Sequence, residues 1–358
     1  MTESSSFFNT VHIQNFKSLK DVTLNDCKRI NLLIGKPNVG KSNILEAIGL
    51  FSLPYIKESK DKKITQFIRL ENLAELFSDG DIEKKIYINS DDGSSCIATY
   101  IPERGFVTLE TNIKEQNLTY YNFEKPLLTE NKNNQIHSIT INNQLNIIEH
   151  NKKQNYILPK VKYYKFSNVA ISKGQDSALR ISSLIPPHGI NFFDVVQYCK
   201  VKLELSEIFA EYGLKLLFDK TNRTLRIIKL LDDAIVSFPY SSIADTLQRV
   251  IFFKTAIASN KNSIILFEEP EAHCYPPYIT HIAKEIIDSE TNQFFIATHS
   301  PFILDTFLED SRDDLAIFMA DFKDGQTIIK RLTDDEVNDV YEYGLDLFFN
   351  SELFTDEI

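Results

Sequence analysis

Two stretches of this chain combine residue types at spacings suited to work on a triphosphate. The first is Gly35-Lys36-Pro37-Asn38-Val39-Gly40-Lys41-Ser42, a complete G-x-x-x-x-G-K-S. Phosphate is held well where several backbone N–H groups converge at a helix N-terminus, because the helix dipole also favours negative charge there. Gly35 and Gly40 let the backbone curl close to the phosphates without a Cβ in the way. Lys41 sets a positive charge against the β- and γ-phosphates, and the Ser42 hydroxyl is of the type that ligates Mg²⁺. Pro37 has no N–H, so the cradle runs from Asn38 through Val39, Gly40 and Lys41 to Ser42.

The second stretch is Glu268-Glu269-Pro270-Glu271-Ala272-His273, directly after the apolar run Ile264-Ile265-Leu266-Phe267. Two carboxylates at the end of a buried strand match the needs of a phosphate loop. Glu268, the first, is placed to hold Mg²⁺, and Glu269, the second, to position and deprotonate an attacking water. His299 ends the next apolar run, Phe294-Phe295-Ile296-Ala297-Thr298, near the same rim, where an imidazole reaches a γ-phosphate. His273 reads as structural. Guanine recognition by N-K-x-D is excluded, since Asn260-Lys261-Asn262-Ser263 lacks the Asp and precedes the carboxylate strand.

These residues need elements to position them. Arg29 to Ile34 is an apolar run of strand length, and Ile44, Leu45, Ala47, Ile48 and Phe51 fall at helical spacing after the loop. Short strands precede it around Val11–Phe16 and Asp21–Leu24. Residues 56–65 read as a solvated mixed-charge run and 66–80 as a helix. From Ile86 to Phe166, alternating segments separated by Asn- and Lys-rich turns read as β structure, with a polar loop at 130–135. After Pro186-Pro187-His188-Gly189 a helix is expected from Asn191, with Phe192, Val195, Val196, Cys199, Leu203 and Ile208 on one face. A β-hairpin follows over 214–228. Ser241-Ser242-Ile243-Ala244-Asp245 is expected to begin a helix bearing Leu247, Val250, Ile251 and Ala258. Strands alternating with helices through residues 263–300 imply an α/β sheet with ligand groups at its strand ends. Strands over 315–319 and 327–332 and an acidic helix with Val337, Val340 and Tyr343 are expected last. The division is a discontinuous core, 1–80 with 235–358, a β-rich insertion, 81–166, and a helical and hairpin lobe, 167–234.

Composition narrows the partners. A net charge of −11 gives no positive argument for a nucleic-acid groove, though a local one is compatible with it. Four scattered cysteines, Cys27, Cys96, Cys199 and Cys274, form no C-x-x-C or Cys/His cluster. That argues against a zinc site and for a reducing cytoplasm. No apolar run reaches the length of a membrane span, and Met1–Ser6 lacks the character of a secretory signal.

Four motifs in order resemble the ABC-type ATPase superfamily, in its RecF, SMC and OLD branch. Val11-His12-Ile13-Gln14-Asn15-Phe16-Lys17-Ser18 resembles that branch's "I-x-N-F-K-S" entry, and Gly40-Lys41-Ser42-Asn43-Ile44-Leu45-Glu46-Ala47-Ile48 its "GKSNLLEAI". Glu268 to His273 is similar to "DEPEAH", and Thr298-His299-Ser300-Pro301 to "TTHSP". Within the branch the chain looks closest to compact AAA-family ATPases of bacterial anti-phage and mobile-element systems. The resemblance implies an ABC-type P-loop head with a mixed sheet, ATP and Mg²⁺ as ligands, and Asn43 among the nucleotide-binding residues. It also implies a head-to-tail homodimer, or a higher oligomer, in which a serine-bearing segment of one subunit faces the phosphate loop of the other. By motif order Ser241 and Ser242 stand in that segment. The sequence departs from the pattern where Glu268 replaces Asp, where Pro37 replaces Asn or a small residue, and where 241–245 lacks glycines.

OLD proteins carry a TOPRIM nuclease after the ATPase. Only 58 residues follow Ser300, too few for it, so the effector is expected on a separate polypeptide. The leading expectation is an ATP-gated regulator of a nuclease or toxin. A RecF-like repair ATPase that binds DNA itself and a non-hydrolysing, ATP-bound scaffold are the alternatives.

Overall fold

The computed structural model describes residues 7–355, except 60, 114–119, 123–124, 128–134, 153–157, 168–181, 199–201, 203–204, 207–208, 211 and 233. Of the expected features, most of the polar loop at 130–135 and the helix positions Cys199, Leu203 and Ile208 lie outside the described residues.

Two sheets organise the chain. The first is antiparallel and begins with β1 (Val11–Phe16) and β2 (Leu19–Leu24). It continues through β4 (Ile86–Ser90), β5 (Ser95–Ile101), β6 (Phe106–Ile113), β9 (Gln135–Ile141) and β10 (Ile147–Lys152), in the order β10-β9-β6-β5-β4-β1-β2. Among the described residues, the ribbon β7 (Tyr120–Asn122) and β8 (Lys125–Leu127) pairs only with itself.

The second sheet is mixed, six-stranded, and carries the site. It contains β3 (Ile30–Gly35), β11 (Val161–Tyr164), β15 (Ile264–Glu268), β16 (Gln293–Ala297), β17 (Leu315–Lys323) and β18 (Gln326–Arg331), in the order β11-β15-β16-β3-β17-β18. All neighbours are parallel except β17 and β18. Strands buried on both faces read as continuous apolar runs, and β3, β15 and β16 do so. Segment 81–166 is tied to the core at both ends, because β4 pairs with β1 and β11 with β15.

The helix α1 (Lys41–Gly49) packs between the two sheets, its Ile44, Leu45, Ala47 and Ile48 in one core with Ile13, Leu33, Ile86 and Leu266. Gly49 must be small there, since a Cβ would lie 2.5 Å from the Tyr163 ring. The opposite face of the second sheet is covered by α3 (Asp245–Ala258), α4 (Pro276–Asp288) and α5 (Pro301–Asp310), which bury Ile251, Phe253, Ile282, Ile286, Ile303 and Phe307. The short α2 (Phe192–Tyr198) joins this core. Beside it stands a three-stranded sheet of β12 (Leu214–Asp219), β13 (Thr224–Leu231) and β14 (Ala234–Pro239). The chain closes with α6 (Asp334–Tyr343) and α7 (Ser351–Thr355). The mixed α/β architecture expected from the sequence is the one adopted.

Two expected helices take other forms. Residues 66–80 form 3₁₀ turns over Leu73–Leu76 and Ser78–Gly80, not one helix. Asn72 is extended and its side chain accepts from Ala74 N, and Asp79 has φ 56°, so tertiary contacts override the apolar spacing. The helix expected from Ser241 begins instead at Asp245. Tyr240–Ser242 is a 3₁₀ turn and Ile243 is extended, which separates the serines from the helix N-terminus.

Candidate nucleotide site

The phosphate loop follows β3 and is braced from behind. Thr327 on β18 donates its hydroxyl to Val39 O at 2.8 Å and lies 2.7 Å from Ser18 Oγ. The Asn43 amide donates to Ser18 Oγ at 2.8 Å, so this side chain joins the bracing. The bracing sharpens the reason for the glycines. A Cβ on Gly40, which has φ 104°, would sit 2.0 Å from Thr327 Oγ1, and one on Gly35 2.2 Å from Ala320 O. Val39 is buried, while Asn38, with φ 65°, is exposed at the tip. Lys41 is largely buried, and its ammonium donates to Gly35 O at 2.7 Å and Lys36 O at 2.8 Å. Burial pulls its pKa down to about 8, against the pull of Glu269.

The sheet order sets β16 between β3 and β15, with Glu268 in register with Ala297 and Ala297 with Leu33. The loop, the two carboxylates and His299 therefore share one rim. The Ser42 side chain helps to hold the Glu268 carboxyl charged. Burial works to raise the Glu268 carboxyl, but Ser42, Arg69, Lys165 and Tyr163 outweigh it and hold it below its ordinary range. Glu269 has φ 43°, its N–H donates to Ala297 O at 2.8 Å, and its carboxylate lies 3.8 Å from His299 Nε2. Burial and the charge of Lys41 lower the His299 pKa, so its ring is neutral at neutral pH.

Glu271 anchors the histidine turn. Its Oε1 accepts from Thr298 Oγ1 at 2.7 Å and from His299 N at 2.9 Å, and Oε2 has no hydrogen-bond partner among the described residues. Burial raises its pKa. His273, read as structural, is exposed with φ 60°, and its carbonyl accepts from Thr246.

A charged cluster around Glu268 escaped the sequence reading. Arg69 pairs with Glu268 and also meets Glu46, which is 1% exposed. Glu46 accepts from Lys17 Nζ and from Arg69 N at 3.0 Å, and Lys165 Nζ lies 3.7 Å from it. Tyr163 donates its hydroxyl to Glu268 at 3.1 Å. Lys17 and Glu46 stand inside the motifs quoted above, a usable signal. Arg69, Tyr163 and Lys165 come from distant segments with no local mark.

Ser241 and Ser242 are exposed, and among the described residues neither is hydrogen-bonded to the phosphate loop of its own chain. The arrangement fits a Mg²⁺–nucleotide: a glycine cradle closed from behind, a buried lysine, and carboxylates on the same rim. No group of three or more metal-type ligands occurs among the described residues.

Residues 30–305 match the family described as "AAA domain, putative AbiEii toxin, Type IV TA system". The chain belongs to this AAA-domain family. It is also 45% identical over 42 residues to an uncharacterized protein of Methanocaldococcus jannaschii, MJECL10, covering 12% of this chain and 19% of that protein. Protein ea59 of Escherichia phage lambda is 30% identical over 118 residues, covering 29% of this chain and 22% of that protein. The chain thus spans about a fifth of the length of these curated relatives. Among solved structures, an SMC head bound to the C-terminal winged-helix domain of ScpA aligns with TM-score 0.51 at 14% identity, over 93% of this chain and 99% of that one. The AAA-domain chain therefore has an SMC-head-type fold. Among its described residues no helix is long and apolar enough to cross a membrane.

Proposed function

We propose that this AAA-domain protein binds and hydrolyses ATP with Mg²⁺, pairs head-to-tail with a second copy when ATP is bound, and thereby controls a separate nuclease or toxin in bacterial anti-phage defence. The observation that carries the reading is the sheet register that sets the phosphate loop, Glu268, Glu269 and His299 on one rim. Lys41 leaves the loop carbonyls for the β- and γ-phosphates, and the N–H groups from Asn38 to Ser42 take their oxygens. Ser42 and Glu268 would hold the metal, which when bound would supply positive charge against the developing phosphate anion. Glu269 accepts the proton of the attacking water, and the neutral His299 ring donates to the γ-phosphate.

Ser241 and Ser242 supply hydroxyls to the phosphate of the partner copy, a role in keeping with their exposure. The toxin–antitoxin wording of the family description supports a place in such a defence system. Lys41→Ala is expected to abolish ATP binding in calorimetry. Glu269→Gln is expected to bind ATP and not turn it over, and wild-type turnover by that variant would remove Glu269 as the base.

A further inference from the structure

Two apolar features flank the two halves of the proposed ATP site. The first is a projection on the segment around α7, where Phe349 is 89% exposed and Leu353 71%. The segment is moored beside the phosphate loop. Glu352 accepts from Lys36 at 2.6 Å, and Lys323 Nζ donates to Thr355 O at 2.8 Å. Large apolar side chains held outward are costly in water and mark contact surfaces.

The second feature is a groove of about 600 Å³ next to Ser242, between the three-stranded sheet and the starts of α3 and α4. Tyr212, Phe238, Ile243, Tyr275 and Tyr278 line it, and the hydroxyls of Tyr212 and Tyr278 meet at 2.6 Å across it. The flanks differ in charge. Residues 334–352 hold seven carboxylates and no Lys or Arg, whereas 214–229 hold five Lys or Arg and one Asp.

We propose that Phe349 and Leu353 of one copy insert into the groove beside Ser242 of a second copy, and reciprocally. This rests on the head-to-tail pairing proposed above. That pairing sets the phosphate loop of one copy against Ser241–Ser242 of the other, so what flanks the loop meets what flanks the serines. A two-fold arrangement makes the contact twice. The acidic segment then lies against the basic hairpin, which fixes the register and makes the pairing weaken with salt. Because Lys36 belongs to the loop and holds Glu352, the docked segment also ties dimer contact to the nucleotide site.

The test is sedimentation velocity on the full chain with a non-hydrolysable ATP analogue, alongside titration of the analogue itself. The projection variant is Phe349→Asp with Leu353→Asp, and the groove variant is Phe238→Asp with Tyr275→Asp. All four positions are exposed in the single chain. Each variant alone is expected to bind the analogue normally and to dimerise roughly a hundredfold more weakly, about tenfold for each of the two contacts it spoils. A one-to-one mixture regains much of the association, because the mixed pair keeps one undamaged contact.

Variants that dimerise like wild type, or a mixture no better than its components, would overturn the docking and leave the ATP-driven dimer standing. A wild-type chain that binds the analogue and stays monomeric would overturn the pairing and the docking with it. As a separate readout, copies carrying Leu353→Cys and Phe238→Cys, mixed with a short bismaleimide, are expected to cross-link only with the analogue present, beyond each single variant. No such cross-link would also overturn the docking.

Discussion

Replacing Glu46 by alanine removes the anion that three cations share. Its side chain is 1% exposed, and Lys17, Arg69 and Lys165 converge on it. Breaking a buried pair by deleting one partner costs about 3–5 kcal/mol, because the other charges stay buried and uncompensated. Lys17 and Lys165 are 14% and 16% exposed and count in full, whereas Arg69 is 62% exposed and its share is screened. The expected loss is therefore near the lower end, about 3 kcal/mol. Glu46→Gln keeps an acceptor for Arg69 N and recovers part of it. The assay is guanidinium unfolding followed by circular dichroism and by tyrosine fluorescence, since the chain has no tryptophan, with coincidence of the two probes required before a free energy is read. Lys17→Met in the Glu46→Ala background should be less harmful than the sum of the two single changes, as it removes a stranded charge. A loss below about 1 kcal/mol, with additive single effects, would refute the reasoning that Glu46 is an electrostatic keystone.

Gly40→Ala meets both a φ of 104° and a Cβ 2.0 Å from Thr327 Oγ1. ATP affinity is expected to fall at least roughly tenfold in calorimetry, and adding Thr327→Ala should return the packing share but not the backbone share. Asp92 and Lys160 form a pair 2.6 Å apart with side chains 3% and 4% exposed. Burial acts to raise the Asp92 carboxyl, but Lys160, Ser90 and Ser94 outweigh it, so its folded pKa lies below the ordinary 3.8. A depressed folded pKa gives stability that is whole above the unfolded pKa and is lost as pH falls through the folded one. Asp92→Asn should cost about 3 kcal/mol at pH 7, and the gap from wild type should narrow only below about pH 3.8, as acid unfolding curves will show.

The site was legible where its chemistry is local. Glycines, lysine and serine at fixed offsets after an apolar run, and carboxylates or a histidine closing other apolar runs, need no tertiary knowledge to be placed on one rim. The helix expected over 66–80 was not legible, because Asn72 and Asp79 take conformations set by contacts outside the segment. The start of α3 at Asp245 was masked by serines that look like caps but sit on a preceding turn. Arg69, Tyr163 and Lys165 reach Glu268 only through the fold, so no spacing announces them. The pairing of β6 with β9, across the ribbon of β7 and β8, is likewise a matter of topology and not of periodicity.

The most direct test of the account is ATP turnover per subunit across a wide range of protein concentration, with Lys41→Ala as the blank. The account predicts a rate per subunit that climbs with concentration to a plateau, because Ser241 and Ser242 of one copy complete the site of another. A constant, non-zero rate in a chain that sediments as a monomer throughout would contradict it, as would no turnover above the blank in a chain shown to dimerise with ATP.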